Sequence, residues 1–286
     1  MTESHDIAGT VASAKEYYDG PADEIYRSIW GDNIHLGLPC NPDCPHPEAM
    51  EHTNKVMAEL ADLDAGISVL DLGCGYGATA RYLATRYGCS VVGVNVSEKE
   101  LELAKDRTVT AGLDDLITFD QGDFHKLAYD NGSFQVVWSQ EAFLHGADKS
   151  MILSEAKRVL VPSGTLIFTD IVVRSDTSDD DRNRIYERIR SSDMWDSGDY
   201  RQCLSDQGFQ ILHHEDWSEH VARSYSWIKD RVSHSRQTLM ARMDPEIIDR
   251  TIDSLGFWVD SANAGKIGWV LFVAENQVAS SISRKE

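Results

Sequence analysis

The densest chemistry in the chain lies in Val69-Leu70-Asp71-Leu72-Gly73-Cys74-Gly75-Tyr76-Gly77, where an apolar strand runs into Gly-x-Gly-x-Gly and a helix opens near Ala78. Glycines at this spacing leave no side chain between backbone and ligand, and a helix N-terminus offers N–H groups that have no partner inside the helix. Turns that seat a dinucleotide pyrophosphate place the third glycine one residue later. Here the spacing is shorter, and Asp71 would repel a pyrophosphate. An acid at that place suits a ligand carrying an ammonium group. A second constellation is Trp138-Ser139-Gln140-Glu141-Ala142-Phe143-Leu144-His145, which offers an acid and an imidazole, Glu141 and His145, at the end of an apolar run. A third is a stretch holding Arg182, Arg184, Arg188, Arg190 and Arg201. Guanidinium groups of this kind can grip a carboxylate with two hydrogen bonds.

These groups need a frame, and the hydrophobic pattern describes one. Residues 10–30 read as a helix with Ile25 and Ile29 on one face, followed by a turn at Gly31-Asp32-Asn33 and a loop threaded with Pro39, Pro42, Pro45 and Pro47. A second helix runs from Pro47 to Leu63. Apolar runs at 67–72, 91–96, 116–119, 134–138 and 165–171 then alternate with helical stretches near 77–87, 97–111 and 147–160. Strands alternating with helices predict an α/β protein whose parallel sheet is covered on both faces. Gly208 to His214 supplies a sixth strand and Ile267 to Ala274 a seventh. The core is expected over 64–172 and 206–276, preceded by a helical segment (1–63) and followed by a tail (277–286). Residues 173–205, opening on the solvated run Asp176 to Asp181, and 215–264, two helices split at Asp244-Pro245, exceed a minimal core. Insertions at the carboxyl edge of such a sheet are where a second substrate is held, so both are expected to form a cap.

At 286 residues with 42% hydrophobic content the chain can bury a full core without staples. Its apolar runs are too short to span a bilayer, and the polar, acidic start (Met1 to Asp6) carries no secretory signal, so a soluble cytoplasmic protein is expected. The balance of 47 acidic against 27 basic residues, a net charge of −20, disfavours nucleic acid and anionic membrane surfaces as partners. Only ten of the basic residues are Lys. A surface rich in carboxylates and poor in Lys fits a salty cytoplasm, where screening blunts self-repulsion; an ordinary acidic protein is the alternative. Five Cys (40, 44, 74, 89 and 203), an odd number, point to reduced thiols. Cys40 and Cys44 with His46 could begin a zinc site, but no second ligand pair follows, so a rigid surface loop and no metal are expected.

The glycine turn resembles the first motif of S-adenosylmethionine-dependent methyltransferases, and other positions agree in register. The second strand ends at Asn95, where the superfamily usually carries an acid that takes both ribose hydroxyls; here the amide would do so. Asp123, in Gly122-Asp123-Phe124, falls where the family places an Asp on the adenine amino group, with Phe124 beside it. Gln140 ends the fourth strand, and Leu160-Val161-Pro162-Ser163-Gly164-Thr165-Leu166 matches the turn before the fifth. The resemblance implies a Rossmann-like seven-stranded sheet, mostly parallel with the last strand antiparallel, under a helical cap. It also implies that Asp71, Gly73, Gly75, Gly77, Asn95, Asp123, Phe124 and Gln140 bind S-adenosylmethionine.

Trp30-Gly31-Asp32-Asn33-Ile34-His35-Leu36-Gly37, together with the stretch from Trp138 to His145, is similar to sarcosine/dimethylglycine N-methyltransferases, which make glycine betaine. The similarity extends to Arg188, Asp193-Met194, Tyr200-Arg201, Tyr225 and Ala264-Gly265-Lys266. In such relatives the N-terminal helix covers the cofactor, which implicates Tyr18 and His35. A small N-methylated glycine needs its carboxylate clamped, by Arg188 or Arg201, with surface ion pairs the alternative for either. Its amine must be unprotonated and set beside aromatic faces, for which Tyr225, Trp195 and Trp269 are candidates, with plain core packing the alternative. His145 could take the amine proton or orient the acceptor, or be a structural histidine. Two other readings stand: a C- or O-methyltransferase of an apolar tocopherol- or prenyl-type acceptor, and a non-catalytic S-adenosylmethionine-binding protein. An apolar substrate would call for a cap lined by Leu, Phe and Met, whereas residues 176–203 are rich in charge.

Overall fold

The apolar runs become seven strands of one sheet in the computed structural model, which describes residues 6–20, 25, 27, 29–191 and 193–277. They are β1 (Ser68–Leu72), β2 (Ser90–Asn95), β3 (Ile117–Gln121), β4 (Phe134–Gln140), β5 (Leu160–Val173), β6 (Phe209–Asp216) and β7 (Ile267–Asn276), in the order β3-β2-β1-β4-β5-β7-β6. The first five pair in parallel, and β7 runs antiparallel between β5 and β6. Alternate side chains leave opposite faces of a strand, and both faces here are buried. Val69, Val136, Trp138 and Ile167 enter one core, while Leu70, Val137, Leu166 and Phe168 enter the other. That is why these strands read as continuous apolar runs.

Nine helices of eight residues or more are described: α1 (Ile7–Asp19), α2 (His46–Leu60), α3 (Ala78–Tyr87), α4 (Glu98–Thr110), α5 (Lys149–Val159), α6 (Asp179–Ile189), α7 (Ser197–Asp206), α8 (Val221–Leu239) and α9 (Pro245–Asn263). Their starts follow from polar caps. Ser97, Asp148, Ser178, Asp196 and Asp244 each accept a backbone N–H of the first turn. The run Asp176 to Asp181, expected to be merely solvated, opens α6 instead, with Asp179, Asp180 and Asp181 in its first turn. Acids there complement the helix dipole. Of the helix expected over 10–30, α1 accounts for the first part; residues 21–24, 26 and 28, and the tail from 278 onward, lie outside the described residues.

The two insertions divide differently from the expectation. α6, α8 and α9 pack together over one face: Tyr225 of α8 meets Trp258 of α9 edge to face at 4.8 Å, and Ile185 and Ile189 join the same core. α7 belongs to the sheet layer, for its Tyr200 and Leu204 are buried with Phe168 and Phe272. The second half of 173–205 is therefore a crossover helix leading into β6, not cap. No helix among the described residues is long and apolar enough to cross a membrane. The chain leaves β1 toward β2 on one side, while β4 lies on the other, so a crevice opens above their carboxyl ends, where open α/β sheets bind ligands.

Candidate active site

That crevice holds a cavity enclosing about 920 Å³ of empty space, partly open to solvent. Tyr18, His35, Asp71, Gly73, Gly75, Asn95, Asp123, Phe124 and Gln140, nine of the ten residues expected to bind cofactor, line it, as do Glu141 and His145. Gly77 is the exception. It caps α3 in the left-handed region (φ 70°), and a Cβ there would stand 2.5 Å from the Phe119 ring, so turn and packing both call for a glycine at this position. Gly75 (φ 50°) does face the cavity, across which a Cβ would reach to 3.1 Å from Ile34.

Asp71 is buried, and its Oδ2 has no hydrogen-bond partner among the described residues. Burial pushes its carboxyl up to about 7. A desolvated acid facing a cavity is what a ligand ammonium group would relieve. At the β2 edge, Asn95 donates to Glu100 Oε2 (2.6 Å) and accepts from the Val96 N–H (2.8 Å). An acid from α4 thus stands beside the strand end, for Glu100 is buried and lines the cavity. Ser97-x-x-Glu100 reads in sequence as a helix cap, and the Glu100 N–H does bond Ser97 Oγ. The carboxylate goes to Asn95 instead, which is why spacing alone conceals it.

Asp123 accepts from both the His125 N–H (2.9 Å) and His125 Nδ1 (2.6 Å). His125 Nε2 accepts from the Ala147 and Asp148 N–H groups, so its proton sits on Nδ1. Burial pushes Asp123 up, but its bonds to His125 outweigh that and hold it below the usual carboxylate range. Gln140 Oε1 accepts from Thr79 Oγ1 (2.9 Å) and Trp138 Nε1 (3.1 Å), which fixes the amide orientation, and its Nε2 has no partner among the described residues.

Glu141 occupies a left-handed backbone conformation (φ 46°), sparsely populated for such a residue and typical of functional sites. Its Oε2 accepts from the Leu36 N–H (2.9 Å), and its Oε1 from Thr169 Oγ1 and Trp269 Nε1 (2.7 Å each). Burial raises its pKa while these three donors oppose the rise. His145, in a 3-10 turn over Phe143–His145, lies 2.7 Å through Nε2 from the Tyr18 hydroxyl. Burial first, then the nearby Lys149 charge, lower its pKa to about 4. His35 is lowered to about 4 by burial; its Nδ1 donates to the Leu36 carbonyl (2.9 Å), and its Nε2 has no partner among the described residues.

Behind Glu141 and His145 a second, smaller chamber opens, with about 430 Å³ of empty space. Tyr17, Tyr18, Trp30 and Tyr225 give it aromatic walls, completed by Ile34, Leu144, Ile171 and Ile189. Only Tyr225 of the four was singled out by the sequence as acceptor wall. Trp269 lines neither space: it is buried, and its indole holds Glu141 from behind. Trp195 likewise packs against Tyr200 (5.2 Å). Arg188 stands behind Tyr225, its guanidinium carbon 6.0 Å from that ring and 5.8 Å from the Trp258 ring, with Nη1 3.3 Å from Ser254 Oγ. It lines a neighbouring cavity that shares Tyr17 with the chamber. Arg201 does not come to the site. It is exposed on α7, 3.1 Å from His214 Nδ1, because α7 turns that face to solvent; its expected part in a carboxylate clamp is corrected accordingly.

Residues 70–168 match the model of a methyltransferase domain. The chain is 36% identical to a sarcosine/dimethylglycine N-methyltransferase of Halorhodospira halochloris, over 92% of this chain and 95% of that protein. It is 34% identical to a glycine/sarcosine/dimethylglycine N-methyltransferase of Actinopolyspora halophila, over 92% of this chain and 47% of that longer protein. A crystal structure from Galdieria sulphuraria, described as a candidate sarcosine dimethylglycine methyltransferase, superposes with a TM-score of 0.84 at 29% identity, covering 90% of this chain and 99% of that one. Sheet order, glycine turn and overall similarity agree: the chain belongs to the sarcosine/dimethylglycine N-methyltransferase family of S-adenosylmethionine-dependent methyltransferases.

Proposed function

We propose that this enzyme methylates the amine nitrogen of sarcosine, dimethylglycine or both, giving dimethylglycine and glycine betaine. The observation that carries this reading is the wall shared by the two spaces: Glu141 and His145 line both the larger cavity and the aromatic chamber. S-adenosylmethionine supplies an electrophilic methyl group when bound. Asp71 would take its ammonium group, Asn95 and Glu100 its ribose hydroxyls, and Asp123 with Phe124 its adenine. In-line displacement asks little of the protein beyond holding the nucleophile on axis and excluding water, and transfer to nitrogen needs no metal.

The chain's residues answer the demands of an amine acceptor. The amine becomes cationic as it is methylated, and the chamber offers four aromatic faces and one fixed carboxylate to that charge. Glu141 is held by three donors, so it serves as a stationary anion rather than a proton carrier. His145 is neutral near pH 7 and, with Tyr18, can orient the acceptor's lone pair. Arg188, whose guanidinium carbon lies 6.0 Å from the Tyr225 ring, is the guanidinium assigned to the acceptor's carboxylate. A second reading draws on the aliphatic half of the chamber, Ile34, Leu144, Ile171 and Ile189, which would suit an apolar acceptor methylated on carbon or oxygen. Turnover of methyl-labelled S-adenosylmethionine against glycine, sarcosine, dimethylglycine and a set of phenols and prenyl compounds tests the two. Label should pass to the N-methylated glycines; transfer only to an apolar acceptor would overturn the proposal.

A further inference from the structure

The proline-threaded loop between Gly37 and α2 holds a feature that methyl transfer does not use. Cys40 is exposed and Cys44 is buried, and their sulfur atoms lie 2.6 Å apart. Non-bonded heavy atoms sit best at roughly 3.5–4.0 Å. A disulfide brings two sulfurs to about 2.0 Å, whereas two thiolates on one tetrahedral zinc, each at about 2.3 Å, stand about 3.8 Å apart. The observed spacing needs a short contraction for the first and a longer opening for the second. The five-residue turn is already folded for closure, since the Cys44 N–H donates to the Asn41 carbonyl (3.1 Å), the Asp43 N–H to Asn41 Oδ1 (2.9 Å), and Asn41 Nδ2 to Cys40 Sγ (3.3 Å).

We infer that Cys40 and Cys44 are a redox-reversible modification site, closing to an intramolecular disulfide by exchange with a low-molecular-weight disulfide. The exposed Cys40 thiolate attacks the small disulfide, releasing one small thiol and leaving a mixed disulfide. The Cys44 thiolate then attacks Cys40 Sγ and releases the second. The two cysteines are oxidised, the small disulfide is reduced by two electrons, and the two cysteine protons end on the two small thiols. Its bond to Cys44, with burial and the Glu48 charge adding to it, holds the Cys40 thiol above its ordinary value, so the exchange is slow near neutrality and quickens with rising pH. The loop follows closely on Asp32 to His35, which line the larger cavity. The Cys44 carbonyl accepts from Arg223 of α8 (2.6 Å), while the Leu36 and Gly37 N–H groups reach Glu141 (2.9 Å) and Ser224 (3.3 Å). Cys74 and Cys89 are buried and serve as unreactive controls, while Cys203 is half-buried on α7 with no cysteine beside it among the described residues and serves as a control for a thiol that lacks a partner.

The test is to incubate the reduced full-length chain with oxidised glutathione, then denature, alkylate and map it by mass spectrometry. The expected product has one disulfide joining Cys40 to Cys44, alkylation at Cys74, Cys89 and Cys203, and full reversal by dithiothreitol. Five alkylated cysteines, or a glutathione adduct at Cys40 that never resolves, would overturn the inference. So would zinc bound one per chain to the pair as isolated, released together with two thiols by a chelator. Cys40→Ser, at an exposed position that leaves the fold intact, should yield no intramolecular disulfide; a disulfide formed in that variant would also overturn it.

Discussion

The cofactor cavity and the acceptor chamber meet at Glu141 and His145, yet they are built from different kinds of sequence. The floor of the cavity is assembled from strand ends and the turns that follow them, Asp71 to Gly75 at the end of β1, Asn95 closing β2, Asp123 after β3 and Gln140 closing β4, with Tyr18 and His35 added from before the sheet. The chamber is assembled from segments far apart in the chain, with Tyr17 and Trp30 before the sheet begins, Ile171 in β5, Ile189 in α6 and Tyr225 in α8. A cofactor common to many enzymes can be held by a motif that the sheet topology places automatically. An acceptor particular to one enzyme is held by cap helices whose packing varies. Binding of the two should therefore be separable by mutation.

Gly75→Val should have the largest effect. A branched side chain there meets Ile34 across the cavity in a backbone conformation that disfavours it. S-adenosylhomocysteine affinity measured by calorimetry should fall roughly a hundredfold or more, about 2.7 kcal/mol, while circular dichroism stays native. Arg188→Ala comes next. Leaving the acceptor's carboxylate without its guanidinium should cost on the order of 2–5 kcal/mol, roughly thirtyfold or more in kcat/KM for dimethylglycine, with S-adenosylhomocysteine affinity nearly unchanged. A variant that lost both together would show that the two spaces are not independent.

Asp71 gives the cavity a pH signature near neutrality. Its carboxyl is raised to about 7 by burial, so below that pH the free protein holds a proton that a ligand's ammonium group must expel. S-adenosylhomocysteine affinity should fall by up to about tenfold per unit as pH drops below 7, and Asp71→Asn should bind weakly with a flat profile. Affinity that stayed level or rose on acidification in the wild type would remove Asp71 as the ammonium partner.

The same division explains what the sequence made legible. The sheet follows from continuous apolar runs alternating with helical stretches, and Asp71, Gly73 and Gly75 from the glycine spacing, all local signals, whereas Tyr18, His35, Asn95, Asp123, Phe124 and Gln140, which also line the cavity, rest only on the family resemblance. Glu100 was hidden because its spacing from Ser97 has a local explanation as a cap. Tyr17, Trp30 and Ile34 were hidden because nothing in a lone sequence says that the N-terminal segment folds back on α8. Trp269 was recognised as important but misread: a tryptophan can form a wall or fix a carboxylate, and only its 2.7 Å bond to Glu141 decides. Arg201 failed because an arginine-rich stretch carries no sign of where a crossover helix ends and a cap begins.

Two smaller effects sharpen the contrast. With a net charge of −20, the melting temperature should climb by a few degrees from low to molar potassium chloride as self-repulsion is screened; a flat or falling curve would contradict the salt-adapted reading. Arg201→Ala, outside both spaces, should change kcat/KM for dimethylglycine less than twofold, within the range of ordinary surface substitutions. A loss as large as that of Arg188→Ala would return Arg201 to the clamp.

The central claim, that the chamber takes a carboxylated amine, is tested most directly by comparing dimethylglycine with its uncharged amide, N,N-dimethylglycinamide, in the wild type and in Arg188→Ala. The two acceptors share the dimethylamino group but differ in the carboxylate and in amine basicity, so kcat/KM is compared per unprotonated amine, which leaves the carboxylate as the difference that Arg188 would sense. The wild type should prefer the carboxylate by roughly thirtyfold or more in kcat/KM, and the variant should lose most of that preference. Equal turnover of acid and amide by the wild type, or an undiminished preference in the variant, would contradict it.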